Sequence, residues 1–373
     1  MPLPATRCLF ALLALQAAVA ARATETPAPA TRPEDTPALS ADPEPAAEPF
    51  DSAQDSPADA AQDKPPGSNQ GEPGVTNDAK PAAVPTEDPR PVETWLEAQI
   101  ELARRGFSGG SIDSVRGPQS AAALRAFQRN AGLAETGELD KATRESLLLT
   151  APTITTHTFS VKDLAALEPL ATTWLGKSEQ TALNHATPIE LVAERYHASP
   201  NFLRRLNPDV TWDHLLPGVA LKVPAVERAT VTGKAAQLHV RLAAHELEAT
   251  DDTGRVIAHF PVSIARDVEK RPVGELHVTV VIPDPNYTFD PEVFPESPEA
   301  KELGRKLILA PGPNNPVGVA WIGLDRTGYG IHGTPDPEKV GRTESHGCLR
   351  LANWDARTLL DLAWVGLPVV VEP

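Results

Sequence analysis

One thiol stands in the C-terminal part of this 373-residue chain, and its neighbours are residue types that make a thiol reactive. Cys348 lies in Ser345-His346-Gly347-Cys348-Leu349-Arg350-Leu351, and Ile331-His332-Gly333-Thr334 precedes it. A free cysteine has a pKa near ~8.5, so only a small fraction is thiolate at neutral pH. An imidazole can take that proton and later return it to a leaving amine. His332 and His346 are both close enough in sequence to do so. Glycines flank both sites, and glycine permits the tight turns that aim backbone N–H groups at one point. Two backbone N–H groups near Cys348 could then form an oxyanion hole for a tetrahedral acyl intermediate. Two other readings compete. A buried inert cysteine would sit in an apolar slot, which Ser-His-Gly and Arg do not make. Zinc could be held by His332, His346 and Cys348, but neither C-x-x-C nor H-E-x-x-H occurs. No metal and no cofactor is therefore expected.

The elements that must position these groups read mostly as strands. Residues 236–240, 245–249, 256–264, 276–282 and 365–371 are short runs rich in β-branched residues, separated by turn signals such as Asp251-Asp252-Thr253-Gly254. One helix is expected over 354–362, capped near Asn353. This predicts a mostly β catalytic domain over residues 229–373. His239, His245, His259 and His277 fall in the strand region and read as packing or surface residues. Residues 286–303, rich in Pro and Glu, read as an insertion that covers the site.

Upstream, residues 91–150 carry helical spacing. Trp95, Leu96, Ile100 and Leu102-Ala103 mark one helix ended by Gly106, Ala121, Leu124 and Phe127 a second, and 142–149 a third. Phe127 reads as core. Residues 154–226 predict a small α+β unit. Helices are expected over 189–196, with Thr187 as N-cap and Pro188 in the first turn, and over 199–206, capped at Ser199. Strands are expected over 157–161 and 218–224, with an insertion of roughly two dozen residues before the first helix.

The N-terminus reads as a signal peptide over 1–23: Arg7, an apolar run over 9–21, then Ala18-Val19-Ala20 or Ala21-Arg22-Ala23 as cleavage sites. The apolar run is shorter than the roughly 18–20 residues a bilayer requires, so no transmembrane anchor is expected after cleavage. Cys8 stands at the front of this run, where a lipid-anchored cysteine would not be, and leaves with it. Cys348 is then unpaired in an oxidising compartment, where structural cysteines come in pairs. Residues 24–90 hold fourteen acidic and four basic side chains among Pro, Ala and Ser, and read as a disordered tether. The net charge of −16 argues against nucleic acid as a partner.

The Cys348 segment resembles the catalytic signature of the L,D-transpeptidase family, the YkuD-like domain: a His-Gly pair, a variable loop, then Ser-His-Gly-Cys, a branched apolar residue and Arg or Asn. Arg271-Pro272-Val273-Gly274-Glu275-Leu276 and the stretch from Pro311 to Gly318 resemble further parts of it. Residues 91–150 resemble a peptidoglycan-binding domain, through Gly106-Phe107, Asp113, Gly117-Pro118, Ala123-Leu124, Phe127-Gln128, Gly132-Leu133 and Gly137. Residues 154–226 resemble a LysM module in their later part. The resemblance implies an exported enzyme of the periplasm or cell wall with a β-sandwich catalytic domain. Cys348 would attack the carbonyl of the third residue of a peptidoglycan stem peptide and expel the terminal D-alanine. His332 would be base and acid, the Gly333 carbonyl would orient its ring, and Ser345 and His346 would shape the pocket. Gly347 and Cys348 would serve the oxyanion, and Arg350 would bind a substrate carboxylate. The acceptor would be a stem-peptide amine or a lysine of an outer-membrane lipoprotein, and glycan would be a partner of the accessory domains. Water as acceptor would make a carboxypeptidase. The remaining alternatives are a papain-like endopeptidase, whose cysteine precedes its histidine, a sortase, whose histidine lies further upstream, and a non-catalytic wall-binding protein.

Overall fold

A computed structural model describes residues 88–226, 229, 231, 233–293, 297–342 and 347–373. The signal segment, nearly all of the tether, Ser345 and His346 lie outside the described residues.

The first unit holds three helices, α1 (Trp95–Arg104), α2 (Pro118–Asn130) and α3 (Lys141–Ser146). Thr94 caps α1 in a reciprocal box with Glu97, and Asp140 caps α3 through the Thr143 N–H. Two short strands, β1 (Arg90–Pro91) and β2 (Leu148–Leu149), pair antiparallel and close the unit. The third helix is thus shorter than its expected 142–149, because Leu148 and Leu149 extend to pair with Pro91 and Arg90. That pairing also begins at Arg90, inside the stretch read as tether. Phe107 and Phe127 meet edge to face, 5.9 Å between centroids, at the centre of the core.

The middle unit opens with β3 (Ile154–Thr158) and closes with β4 (Ala220–Pro224), paired antiparallel from Ile154↔Pro224 to Thr158↔Ala220. The opening strand does not reach 161. Ser160 and Asp163 form a capping box that starts a helix there, α4 (Val161–Ala165). Then come α5 (Trp174–Glu179), α6 (Pro188–Arg195) and α7 (Pro200–Leu206). Thr187 caps α6 with Glu190 as its partner, and proline opens both α6 and α7.

The C-terminal region contributes β5 (Gln237–Arg241), β6 (Glu246–Thr250), β7 (Val256–Pro261), β8 (Gly274–Pro283), β9 (Tyr287–Phe289), α8 (Pro298–Leu303), β10 (Leu307–Leu309), β11 (Ala320–Leu324), β12 (Gly330–His332), β13 (Leu349–Arg350), α9 (Asn353–Leu362) and β14 (Pro368–Glu372). These strands make the mostly β region that was expected. Eight of them make one sheet in the order β13-β12-β11-β8-β14-β5-β6-β7, and β9 and β10 form a separate hairpin. The sheet curls until its two edges touch. Ser263, just past β7, exchanges backbone hydrogen bonds of 3.0 Å with Arg350 of β13 in both directions. Helix α9 fills the hollow with Ala356, Leu359 and Leu362, among the strand residues Leu238, Val240, Ile322 and Ile331.

The three units pack against one another. Backbone hydrogen bonds join Ser108 N–H to the His259 carbonyl (2.8 Å) and His259 N–H to the Gly106 carbonyl (2.9 Å), laying the first unit's loop along β7. Ile112 N–H donates to the His197 carbonyl (2.7 Å) and Ser199 N–H to the Ile112 carbonyl (2.9 Å), joining the first unit to the middle one. Among the described residues, no helix is long and apolar enough to cross a membrane.

Candidate active site

The site is built where β12 meets its two neighbours. On one side β12 runs antiparallel to β11, with Trp321 opposite His332. On the other it runs parallel to β13, with Ile331 opposite Leu349 and His332 opposite Arg350. Paired residues share a face, and alternate residues along a strand share a face. Arg350 therefore stands on the His332 side of the sheet. Cys348 directly precedes β13, the strand beside His332. The Leu351 N–H donates to the His332 carbonyl (2.8 Å) and holds this register past the end of β13.

His332 is fully buried. Its Nδ1 lies 2.6 Å from the Gly333 carbonyl oxygen. A carbonyl oxygen only accepts, so Nδ1 carries the hydrogen, and in the neutral ring Nε2 holds the lone pair. The ring stacks on Trp321 at 5.7 Å and 25°. Trp321 can lie flat because residue 330 has no side chain: a Cβ there would stand 2.7 Å from the indole. Cys348 is buried and in no disulfide, and its Sγ lies 3.5 Å from the Gly328 carbonyl, to which the thiol donates. Gly347 is partly buried beside it, and among the described residues a Cβ at 347 would touch only Tyr329, at 3.8 Å. Of the residues read from sequence, Cys348, His332, Gly333, Gly347 and Arg350 thus come to one corner of the sheet.

Two residues of this corner were not singled out from sequence. Trp321 belongs to an apolar run, Val317 to Leu324, that carries an unread strand signal. Asn353 was read as a helix cap. The cap position is Ala352, and Asn353 opens α9 with its side chain turned away from the helix end. Its Oδ1 accepts from Val319 N–H (3.3 Å), and its Nδ2 donates to the Pro313 carbonyl (3.1 Å) and to Glu194 Oε2 (2.9 Å).

The region read as a covering insertion is the β9–α8–β10 segment. Tyr287, Phe289, Ala300, Leu307 and Leu309 are buried in a core of their own, which takes in Trp321 and, from the middle unit, Leu183 and Trp174. Trp174 stacks on Phe289 at 4.4 Å and 17°. Lys177 lies beside this core, 5.3 Å from the Trp174 ring centroid. Burial pushes its ammonium down to about 8, against the opposing pull of Glu299 and Asp336.

A second polar cluster lies on β6 and β7. Glu246, Glu248 and His259 offer ligand atoms within 4.8 Å of one another. Arginines already neutralise the carboxylates: Arg241 contacts both glutamates at 2.7–2.8 Å, and Arg129 reaches Glu248 at 2.8 Å. His259 Nδ1 is 2.9 Å from the Ser108 carbonyl. The donor set is that of an ion-pair network joining the first unit to the sheet rather than of a cation site.

Residues 235–371 match the family model of the YkuD L,D-transpeptidase catalytic domain. Residues 92–147 match the model described as "Putative peptidoglycan binding domain". The chain is 32% identical over 117 residues to "Putative L,D-transpeptidase YqjB" of Bacillus subtilis, covering 30% of this chain and 57% of that protein. It is 22% identical over 194 residues to "Putative L,D-transpeptidase YkuD" of Bacillus licheniformis, covering 50% of this chain and 93% of that protein. Among solved structures, an L,D-transpeptidase from Mycobacterium smegmatis aligns with a TM-score of 0.30 and 21% identity, over 43% of this chain and 65% of the other. The chain thus spans little more than half the length of the first of these relatives, 57%. It carries a region similar to L,D-transpeptidase catalytic domains, preceded by one similar to peptidoglycan-binding domains.

Proposed function

We propose that the chain is an exported cysteine acyltransferase of peptidoglycan, an L,D-transpeptidase in which Cys348 is the nucleophile and His332 its proton partner. The observation that supports this reading is the parallel pairing of β12 with β13, which joins the strand ending in His332 to the strand that directly follows Cys348. The Nδ1 contact to the Gly333 carbonyl leaves Nε2 as the basic nitrogen. In the first half-reaction the Cys348 thiol loses its proton to His332 and attacks the carbonyl of the third residue of a tetrapeptide stem. Backbone N–H groups of Gly347 and Cys348 receive the oxyanion. The imidazolium returns the proton to the departing nitrogen, and D-alanine leaves. In the second half-reaction an amine gives up a proton to His332 and takes the acyl group, restoring the thiol. A stem-peptide amine yields a 3→3 cross-link, and a lipoprotein lysine yields an anchored lipoprotein. Arg350, on the same face as His332, binds a substrate carboxylate. Ser345 and His346 shape the donor pocket. The first unit binds peptidoglycan and keeps the enzyme at the wall.

Purified protein incubated with tetrapeptide muropeptides tests this. Release of D-alanine, lost in Cys348→Ala, is expected, with a carbapenem adding its mass at Cys348 alone. No D-alanine from the parent protein, or a covalent adduct on a different residue, would sink the reading. Supplying a stem peptide and a lipoprotein-derived lysine peptide together identifies the acceptor by its product.

A further inference from the structure

We propose that Asn353 and Glu194 are positioning residues for His332, so that the middle unit is part of the catalytic centre and not only a spacer or a glycan contact. The inference rests on the role given to His332 above, and it starts from two glycines. A Cβ at Gly333 would collide with the Asn353 side-chain oxygen, and a Cβ at Gly318 would collide with that oxygen and stand 2.7 Å from the Gly333 carbonyl carbon. Asn353 therefore packs closely against Gly333, whose carbonyl oxygen holds His332 Nδ1.

The amide cannot turn over in this slot. Its oxygen faces a donor, the Val319 N–H, and its nitrogen faces two acceptors, the Pro313 carbonyl and the Glu194 carboxylate. Asn353 is 1% exposed, so a flipped amide would leave several buried groups unmatched. Glu194 comes from α6 of the middle unit, 159 positions away in the chain. Its other oxygen lies 3.5 Å from His185 Nε2.

The loop between β10 and β11, which carries Pro313 and Gly318, is held to the middle unit a second time. Asn314 Nδ2 donates to Glu190 Oε1 (2.6 Å) and to the Asn184 carbonyl (2.8 Å). Leu183 N–H donates to the Pro311 carbonyl, and Asn314 N–H to the Leu183 carbonyl, both at 2.9 Å. The wall behind the histidine is thus shared between the two units. Near-attack geometry is steep in distance, with misplacements of about 1 Å costing on the order of 100-fold in rate.

The test uses the full chain. Alkylation of Cys348 by iodoacetamide is followed against pH, beside D-alanine release from tetrapeptide muropeptides. In Glu194→Ala, kcat is expected to fall at least tenfold with KM little changed, and the pH profile of alkylation to move toward that of His332→Ala. Glu194→Gln, which can still accept from Asn353 Nδ2, is expected to recover most of both. Asn353→Asp loses the donor and faces Glu194 with a second carboxylate, so it should shift the profile as Glu194→Ala does. It also supplies the answer if Glu194→Ala does not fold. Folded variants that keep the parent profile and kcat would overturn the inference. If His332→Ala itself leaves alkylation unchanged, the Cys348–His332 pairing fails, which is a different result.

Discussion

His332 sits in a slot that fixes its ring from several sides. The carbonyl under Nδ1 selects the tautomer, Trp321 fixes the ring plane, and Gly333 provides both the carbonyl and the clearance for Asn353. Gly333→Ala is accordingly expected to be severe. The new Cβ meets an amide that cannot withdraw, because Glu194 and Pro313 hold its nitrogen. A loss of D-alanine release of about 100-fold is expected, together with a lower melting temperature. Gly347→Ala is the steric control for stability, since among the described residues its Cβ finds only an ordinary contact with Tyr329. It should melt close to the parent, and an equal fall in melting temperature in both variants would show that steric clearance at 333 is not the cause. Cys348 and His332 stood out in sequence as candidates because imidazole, glycine and thiol follow one another in that order. Asn353 did not. An asparagine at the start of a helical run is an ordinary cap signature, and what sets this one apart is contact with residues far away in the chain.

At the scale of elements, the segment between α4 and α6 is more than an interruption of a small α+β unit. It places Trp174 on Phe289 and Leu183 among Leu307, Leu309 and Val317, so that the β9–α8–β10 segment has a core of its own. Trp174→Ala is expected to destabilise the chain by about 1–3 kcal/mol, less than for a fully buried aromatic because Trp174 is partly exposed. Urea unfolding measures this. A free-energy change near zero would mean that the stack is incidental. Capped helices were readable because Thr187-Pro188 and Ser199-Pro200 announce them locally. Strands β9 to β13 were not: they run from two to five residues, too short for alternation to stand out, and long-range pairing defines them. The curl of the sheet was hidden for the same reason, since it is closed by Ser263 and Arg350.

Across the whole molecule, α9 reaches the first unit through a buried acid. Ser108 Oγ donates to Asp355 Oδ2 at 3.0 Å, and burial pushes the Asp355 carboxyl up to about 8 despite that bond. A raised folded-state pKa means that the folded chain keeps a proton that the unfolded chain has released. Asp355 therefore makes stability decline as pH rises from about 4, the ordinary aspartate value, to about 8, and adds no further slope above that. Asp355→Asn removes this slope. Its melting temperature should exceed the parent's near pH 8, with the gap closing toward pH 4. Parallel curves for the two proteins would place the slope in another group.

The loop of the first unit that lies along β7 has a consequence for anyone who shortens the chain. Gly106 and Ser108 occupy the backbone groups of His259 on the outer edge of the sheet. A strand edge stripped of its cover is a template for another chain. A catalytic fragment starting at residue 229 is expected to self-associate, visible as a concentration-dependent mass in light scattering, where residues 88–373 stay monodisperse. The peptidoglycan-binding-like unit would then also act as a built-in guard against aggregation.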